Sequence, residues 1–298
     1  HSFDYSDSYT EAVTARLAGA HYVSTKKNMG WGSRAWFLRS ALSTRIAVQN
    51  EEMFRRFFHG LVLRDRTRYV PRGVVVETFA DGPDRVESRR RLGLPDEAVV
   101  VVSVASVQPR KGQELLVRTL PDRPDVHLLL VGPILDETFP ARLEAIARER
   151  HLGDRLHLIG ELGDVRPALA AADVFALGSS SEGSPVALIE AMAAGLPVLA
   201  MDIPGVHELL AGTEAGLLVA PHDEVAAARA LADLCGSATR RAEVGAAAAA
   251  LVRARRSIDL EVARIGHDPG GVDRLLRVHA EIDHVADDVG VAHRLVVA

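Results

Sequence analysis

The chain has 298 residues, 48% hydrophobic and 25% charged, which is enough for about two soluble domains at roughly 150 residues each. It holds no apolar run of the ~18 residues a membrane-spanning helix needs. Its single cysteine, Cys235, excludes an internal disulfide and points to a reducing, cytoplasmic setting. The net charge of −5 hides an asymmetry: residues 1–92 carry 16 Lys/Arg against 10 Asp/Glu, and the remainder carries 19 against 30.

The chain starts at His1 with no signal-peptide pattern, which reads as a processed chain or a fragment. Residues 7–19 (DSYTEAVTARLAG) read as a helix, 21–25 (HYVST) as a strand, 33–42 (SRAWFLRSAL) as a helix and 45–49 (RIAVQ) as a strand. Residues 50–60 (NEEMFRRFFHG) read as a helix capped by Asn50, with two acids in its first turn. This αβαβα run is short for a doubly wound domain and lacks an opening strand with a glycine-rich turn. It reads as the second half of a first domain, residues 1–82. RYVPRG leads out of it to a linker containing Asp81, Gly82 and Pro83, then to a short arginine-rich helix ending at Gly93.

Between Ala12 and Asn50 there are six basic residues and no acid. Such a surface suits an anionic partner, a phosphorylated substrate or a membrane face. Residues 24–39 set Trp31, Trp36 and Phe37 among these cations. Two readings stand side by side: contact with a lipid-linked acceptor or a membrane surface, or a core-facing amphipathic helix with a solvated basic face.

From residue 97 onward the pattern is regular. Six apolar runs read as buried strands: 98–106, 126–132, 155–160, 173–178, 197–201 and 216–220. Helical patterns separate them (KGQELLVRTL, ETFPARLEAIARER, GDVRPALAAA, SPVALIEAMAA, GVHELLAG) and a last one, DEVAAARALADLC, buries Cys235. Continuous apolar strands alternating with helices indicate βαβ units and a parallel sheet covered on both faces. The expected architecture is α/β, with a doubly wound second domain at 83–264. The tail, 265–298, is polar and breaks the pattern. Its His279 and His284 fit no metal-ligand spacing, so no metal is expected there.

A doubly wound sheet of order 3-2-1-4-5-6 sets strands 1 and 4 side by side, and ligands bind beyond their carboxyl ends. The loops that follow those strands are VQPRKG (107–112) and SSSEGSP (179–185). Arg110 and Lys111 place two cations beside a helix start, a combination suited to phosphates. The second loop feeds a helix with Ser184 as its expected N-cap, Pro185 as its first residue, and Gly195 and Pro197 at its end. Residues 186–194 are apolar or small except Glu190, which predicts a buried helix with a carboxylate that needs a partner. A buried ion pair, a neighbouring backbone that it caps, or a ligand's hydroxyl groups would supply one. Glu190 lies about 7.5 Å beyond Pro185 at 1.5 Å per residue. The N–H groups at the helix start can hold a diphosphate between Glu182 and Glu190.

The segment EGSPVALIEAMAAGLPVLAMDIPGVHELL, with its Glu-x7-Glu spacing, resembles the donor-binding block of retaining glycosyltransferases of the GT-B fold, family 4 type. SVASVQPRKGQELL, LLLVG, ADVFALGSSSEG and GLLVAPHD match the same family in order and spacing, and the likeness covers about 70–264. The resemblance implies two Rossmann-like domains, the first only partly present. It also implies hexosyl transfer from a nucleoside diphosphate sugar to a glycan, lipid-linked or small-molecule acceptor with retention of configuration. Lys111, aided by Arg110, would neutralise the diphosphate and Glu190 would bind the ribose. Glu182 would bind the transferred hexose, and the backbone at Gly183, Ser184, Pro185 and Val186 would hold sugar and phosphate. Leu162, in GELGDV (160–165), would lie by the nucleobase, and His1 near sugar and acceptor. The family's Gly-Arg pair is replaced by Ala105 and Ser106, and the tail after 264 does not resemble the family's last helix.

The chain contains no Asp-x-Asp triplet, so Lys111 and the helix dipole replace a metal at the diphosphate on this reading. A glycosidase would need both carboxyl groups flanking one scissile bond, whereas here one serves the ribose. A nucleotide-sugar epimerase of the same fold and a partial protein that binds nucleotide without catalysis are the alternatives. No cofactor beyond the donor and no nucleic-acid partner is expected. The acceptor reading adds peripheral contact with the inner face of a membrane.

Overall fold

The computed structural model describes residues 2, 8–27, 29–30 and 34–257. The tail expectation for 265–298 therefore lies outside the described residues. Contacts divide the chain into two compact units. The first holds the chain up to Gly73, the three residues Glu182–Ser184 and, of the residues after 255, the described Arg256 and Ser257. The second holds Val74–Ser181 and Pro185–Arg255.

In chain order the first unit comprises α1 (Thr10–Leu17), β1 (Val23–Lys26), α2 (Arg34–Leu42), β2 (Arg45–Val48), α3 (Glu51–Phe57), α4 (Leu61–Arg64) and β3 (Thr67–Tyr69). Its three strands form a parallel sheet in the order β1-β2-β3. The cap expected at Asn50 is present: its side-chain oxygen accepts the Met53 N–H at 2.8 Å. Strand β3 and α4 have no counterpart in the sequence reading, because a three-residue strand is too short to display a period. Trp36, Ile46, Val48, Met53, Phe58 and Leu63 make the core.

The basic stretch of this unit is partly interior. Trp36 is 5% exposed, and Lys26, 1% exposed, lies over its ring at 4.5 Å and over Phe57 at 5.1 Å. The Lys26 ammonium also donates to the Gly30 carbonyl, and burial pushes its pKa down to about 8. Arg39 is buried as well, donating to the Tyr22 hydroxyl at 3.0 Å and to Ser2 Oγ at 2.5 Å. A solvated basic face on α2 is thus corrected in part, since Arg39 serves the interior. Trp36 is unavailable to a lipid, Phe37 stays exposed, and Trp31 lies outside the described residues.

The second unit opens with α5 (Val76–Ala80) and α6 (Arg85–Arg91). Val76 and Phe79 of α5 are buried in its core, so this unit starts upstream of the linker read at 81–83. Then follow β4 (Val99–Val104), α7 (Gln113–Thr119), β5 (Val126–Val131), α8 (Phe139–Glu149), β6 (Leu156–Gly160), α9 (Arg166–Ala171) and β7 (Val174–Leu177). The chain continues through α10 (Val186–Ala193), β8 (Val198–Met201), α11 (Pro204–Leu210), β9 (Leu217–Val219), α12 (Glu224–Gly236) and α13 (Ala238–Arg255). All six strands are parallel in the order β6-β5-β4-β7-β8-β9, which is the 3-2-1-4-5-6 order inferred from the sequence. Cys235 is buried in α12, and burial pushes its thiol up to about 12.

Helix α13 escaped the sequence reading. Alanine gives it high helix propensity, but the run Ala246–Ala250 covers buried and exposed positions alike and leaves little apolar periodicity to detect. It packs on α10 so closely that a Cβ at Gly245 would sit 2.2 Å from the Gly195 carbonyl. Helix α10 ends as its sequence predicts. Gly195 is left-handed (φ +77°), Gly195 N–H bonds to Met192 O and Leu196 N–H bonds to Ala191 O, the paired bonds of a Schellman stop.

The central strand pair is tied at both ends. At the amino end, Arg89 of α6 donates to Asp173 at 2.8 Å, to Ala171 O at 3.0 Å and to Ala98 O at 2.9 Å. Asp173 also accepts the Val100 N–H at 2.8 Å and an Arg85 bond at 2.7 Å. At the carboxyl end, Gly112 and Gly178 meet backbone to backbone. A Cβ on Gly112 would lie 2.0 Å from the Gly178 carbonyl, and one on Gly178 would lie 2.5 Å from the Gly112 carbonyl.

Two outcomes follow for unfolding in denaturant. Arg89→Ala takes the most buried cation from Asp173, which keeps Arg85 and the Val100 N–H, and should cost about 1.5–3 kcal/mol; a loss below about 0.5 kcal/mol would mean the network is not built as described. Gly112 and Gly195 both have left-handed backbones, at φ +69° and +77°, but only Gly112 is crowded. Gly195→Ala should therefore cost only the backbone penalty of about 1–2 kcal/mol, and Gly112→Ala clearly more. Equal losses would contradict the close approach.

Candidate functional site

Strands β4 and β7 pair through Val101↔Val174 and Val102↔Phe175. Beyond that register each runs into its own loop, and helices leave on opposite sides of the sheet, which opens the crevice of a doubly wound fold. After β4, residues Pro109–Lys111 form a 3₁₀ turn closed by the Lys111 N–H on Gln108 O and the Gly112 N–H on Pro109 O. Gly112 then supplies the left-handed residue that starts α7. The loop after β7 is stitched to this turn. Ser180 N–H donates to Arg110 O at 3.1 Å, and the Arg110 guanidinium donates to Ser181 O at 3.3 Å. The two loops singled out from the sequence are therefore hydrogen-bonded neighbours.

Arg110 is exposed and Lys111 half-buried at this turn. Two polar atoms beside the Gly112–Gly178 contact, Gln113 Oε1 and Ser179 Oγ, are buried without a hydrogen-bond partner. Gln113 spends its amide nitrogen on Ser106 O at 2.9 Å. Sequence reasoning passed over both residues. The signal for Gln113 was its place directly after the glycine that starts α7.

Helix α10 begins at Val186, with Pro185 at the N-cap position and no side-chain cap. The start expected at Pro185, with Ser184 as cap, moves by one residue because the Pro185 carbonyl accepts the first helical bonds, from Leu188 and Ile189. The N–H groups of the first turn precede those bonds and have no partner within the helix. A second correction concerns Glu190. Leu188, Ile189, Ala191, Met192 and Ala193 are buried, but Val186, Glu190 and Ala194 form an i, i+4, i+8 stripe that is only half-buried. The helix is thus not enclosed on every side, and Glu190 sits on its open stripe. The cost of a fully enclosed carboxylate does not arise there.

Leu162 follows the carboxyl end of β6 and is half-buried against the core. At about 4.8 Å per strand, its strand ends roughly 10 Å from the end of β4. Glu182, Gly183 and Ser184 group with the first unit, although the chain on either side of them belongs to the second. Within the first unit the Gly183 carbonyl accepts a hydrogen bond from Asn50 Nδ2 at 2.7 Å. His1 lies outside the described residues.

The same edge of the second unit holds a cavity of about 250 Å³ at the ends of β4, β7, β8 and β9, lined by Arg110, Gly112, Gly178, Ser180, Met201 and His222 among others. Glu190 and Lys111 are not part of its lining. Among the described residues, no group of three or more His, Cys, Asp or Glu could hold a metal ion.

Residues 84–250 match the family described as glycosyl transferases group 1. A D-inositol 3-phosphate glycosyltransferase of Streptomyces scabiei is 32% identical over 198 residues, covering 62% of this chain and 44% of that protein. A GDP-mannose-dependent monoacylated alpha-(1-6)-phosphatidylinositol monomannoside mannosyltransferase of Corynebacterium glutamicum is 30% identical over 272 residues, 84% of this chain and 70% of that protein. The chain spans less than half the length of the Streptomyces scabiei relative. Anabaena HepE in complex with UDP and glucose is similar in structure with a TM-score of 0.78 at 20% identity, covering 86% of this chain and 73% of that one. Sucrose-phosphate synthase from Thermosynechococcus elongatus gives 0.73 at 24% identity, covering 91% and 73%. The α/β fold with parallel sheets is therefore the GT-B fold of these structures, as expected from the sequence. With more than half of its residues matched to the family and a relative covered over most of its length, the chain belongs to the group 1 glycosyl transferases.

Proposed function

We propose that this chain takes part in moving a hexosyl group from a nucleoside diphosphate sugar to an acceptor, with retention of configuration. The observation that carries the reading is the meeting of the loop holding Arg110 and Lys111 with the loop that leads into α10, at the β4–β7 switch point. The diphosphate would lie at the start of α10, where N–H groups without a partner in the helix and the helix dipole favour negative charge. Lys111 would neutralise the leaving group in place of a metal. Glu190 would accept the ribose hydroxyls, Leu162 would adjoin the base, and Glu182 would hold the hexose. Charge stabilisation on the leaving diphosphate and alignment of the sugar supply the rate enhancement. The named relatives favour transfer over epimerisation: one is a D-inositol 3-phosphate glycosyltransferase and one uses GDP-mannose.

An acceptor bearing an inositol phosphate or phosphatidylinositol-like head group agrees with the cations of the acid-free run that stay exposed, Arg16 and Arg34. No described helix is long and apolar enough to cross a membrane. Phe37 and Leu38, exposed on α2 beside Arg34, would make any peripheral contact with a lipid-linked acceptor's membrane.

Calorimetry with GDP and UDP, followed by transfer assays with GDP-mannose and UDP-glucose, tests the site. Glu190→Ala removes charge-assisted hydrogen bonds of about 1.5–3 kcal/mol and should weaken nucleotide binding roughly 10- to 100-fold. Glu182→Gln should leave nucleotide affinity within about twofold and lower kcat. Unchanged affinity in the first variant would remove the ribose role, and unchanged kcat in the second the hexose role.

A further inference from the structure

We propose that Asn50 is a positioning residue for the loop that carries Glu182, acting through the Gly183 carbonyl. The proposal rests on the donor-site reading above for its functional meaning, but not for its geometry. Asn50 is 1% exposed and both ends of its amide are engaged. Its oxygen accepts the Met53 N–H at 2.8 Å and so caps α3. Its nitrogen donates to the carbonyl of Gly183, 133 residues away in the chain, at 2.7 Å.

Gly183 is seated where no side chain fits. A Cβ there would lie 2.0 Å from the Lys27 carbonyl and 2.8 Å from Met53 Cε. Met53 is thus shared: its N–H donates to the cap oxygen and its side chain packs on the glycine. Cap, methionine and glycine form one lock at the corner between β2 and α3. Ser, Thr, Asp and Asn all cap helices well, and asparagine alone among them offers an acceptor for the cap together with an amide donor for the loop. The cap explains a polar residue at position 50; the bond to Gly183 explains why it is asparagine.

The consequence concerns Glu182, whose loop takes its position from the Asn50 lock. Loss of the lock should disturb the handling of the transferred sugar and spare the nucleotide.

Two variants of the full chain test this. Asn50→Asp keeps the shape and the cap, but turns a carboxylate oxygen toward the Gly183 carbonyl. Asn50→Ser keeps a cap and is too short to reach the loop, so it carries the test if the aspartate variant does not fold. Amide hydrogen exchange of the peptide covering 182–189, whose Leu188 and Ile189 N–H groups bond to Pro185 O just beyond the loop, should speed up about tenfold in either variant as the loop loses its anchor. Affinity for GDP or UDP should stay within about twofold, and kcat should fall about tenfold or more with little change in the donor KM. Unchanged exchange in both variants would overturn the lock, whatever the activity. Faster exchange with kcat within about twofold of the wild type would overturn the positioning role. A wild-type chain that transfers no sugar would remove the donor-site reading, and the exchange result would still decide the lock.

Discussion

The second unit depends on two backbones that touch where no side chain can stand, Gly112 against Gly178. That contact sets the spacing of the loops leaving β4 and β7, and with it the width of the crevice they border. The same two strands are fixed at their other end by Asp173, which receives Arg89, Arg85 and the Val100 amide. The charged network at the amino ends keeps the pair in register, and the glycine contact at the carboxyl ends lets two polar loops approach to hydrogen-bond distance. A wider crevice would separate the Lys111 turn from the loop leading into α10 and break the Arg110 bonds to Ser180 and Ser181.

Charge in the first unit works differently from what a count indicates. The acid-free run reads as a solvated or anion-binding surface, but Lys26 and Arg39 are spent inside, on aromatic rings, hydroxyls and a carbonyl. The cations left outside are fewer, and the exposed apolar residues of α2 are Phe37 and Leu38 rather than Trp36. Any acceptor surface on this unit is smaller and more local than the composition implies.

Much of the second unit was legible because its physics is local and repeated. Continuous apolar strands alternating with helices specify a parallel sheet, and the connection rules leave few strand orders. The two distinctive loops then fell at the switch point by counting strands. What stayed illegible depends on tertiary contact. The open stripe of α10 depends on which neighbours cover the helix, so an all-apolar sequence concealed a half-buried Glu190. Helix α13 was hidden by an alanine run that covers buried and exposed positions alike. Asn50 was recognised as a cap, yet its second bond joins residues 133 apart, and no local pattern carries that information.

The central claim is that a diphosphate lies between the Lys111 turn and the start of α10. The most direct measurement is a crystal structure of the chain with a bound nucleoside diphosphate sugar. The account predicts phosphate oxygens within hydrogen-bonding distance of Lys111 Nζ and the first α10 amides, with the ribose hydroxyls on Glu190. A nucleotide bound instead in the cavity beside Met201 and His222, with Glu190 untouched, would contradict it.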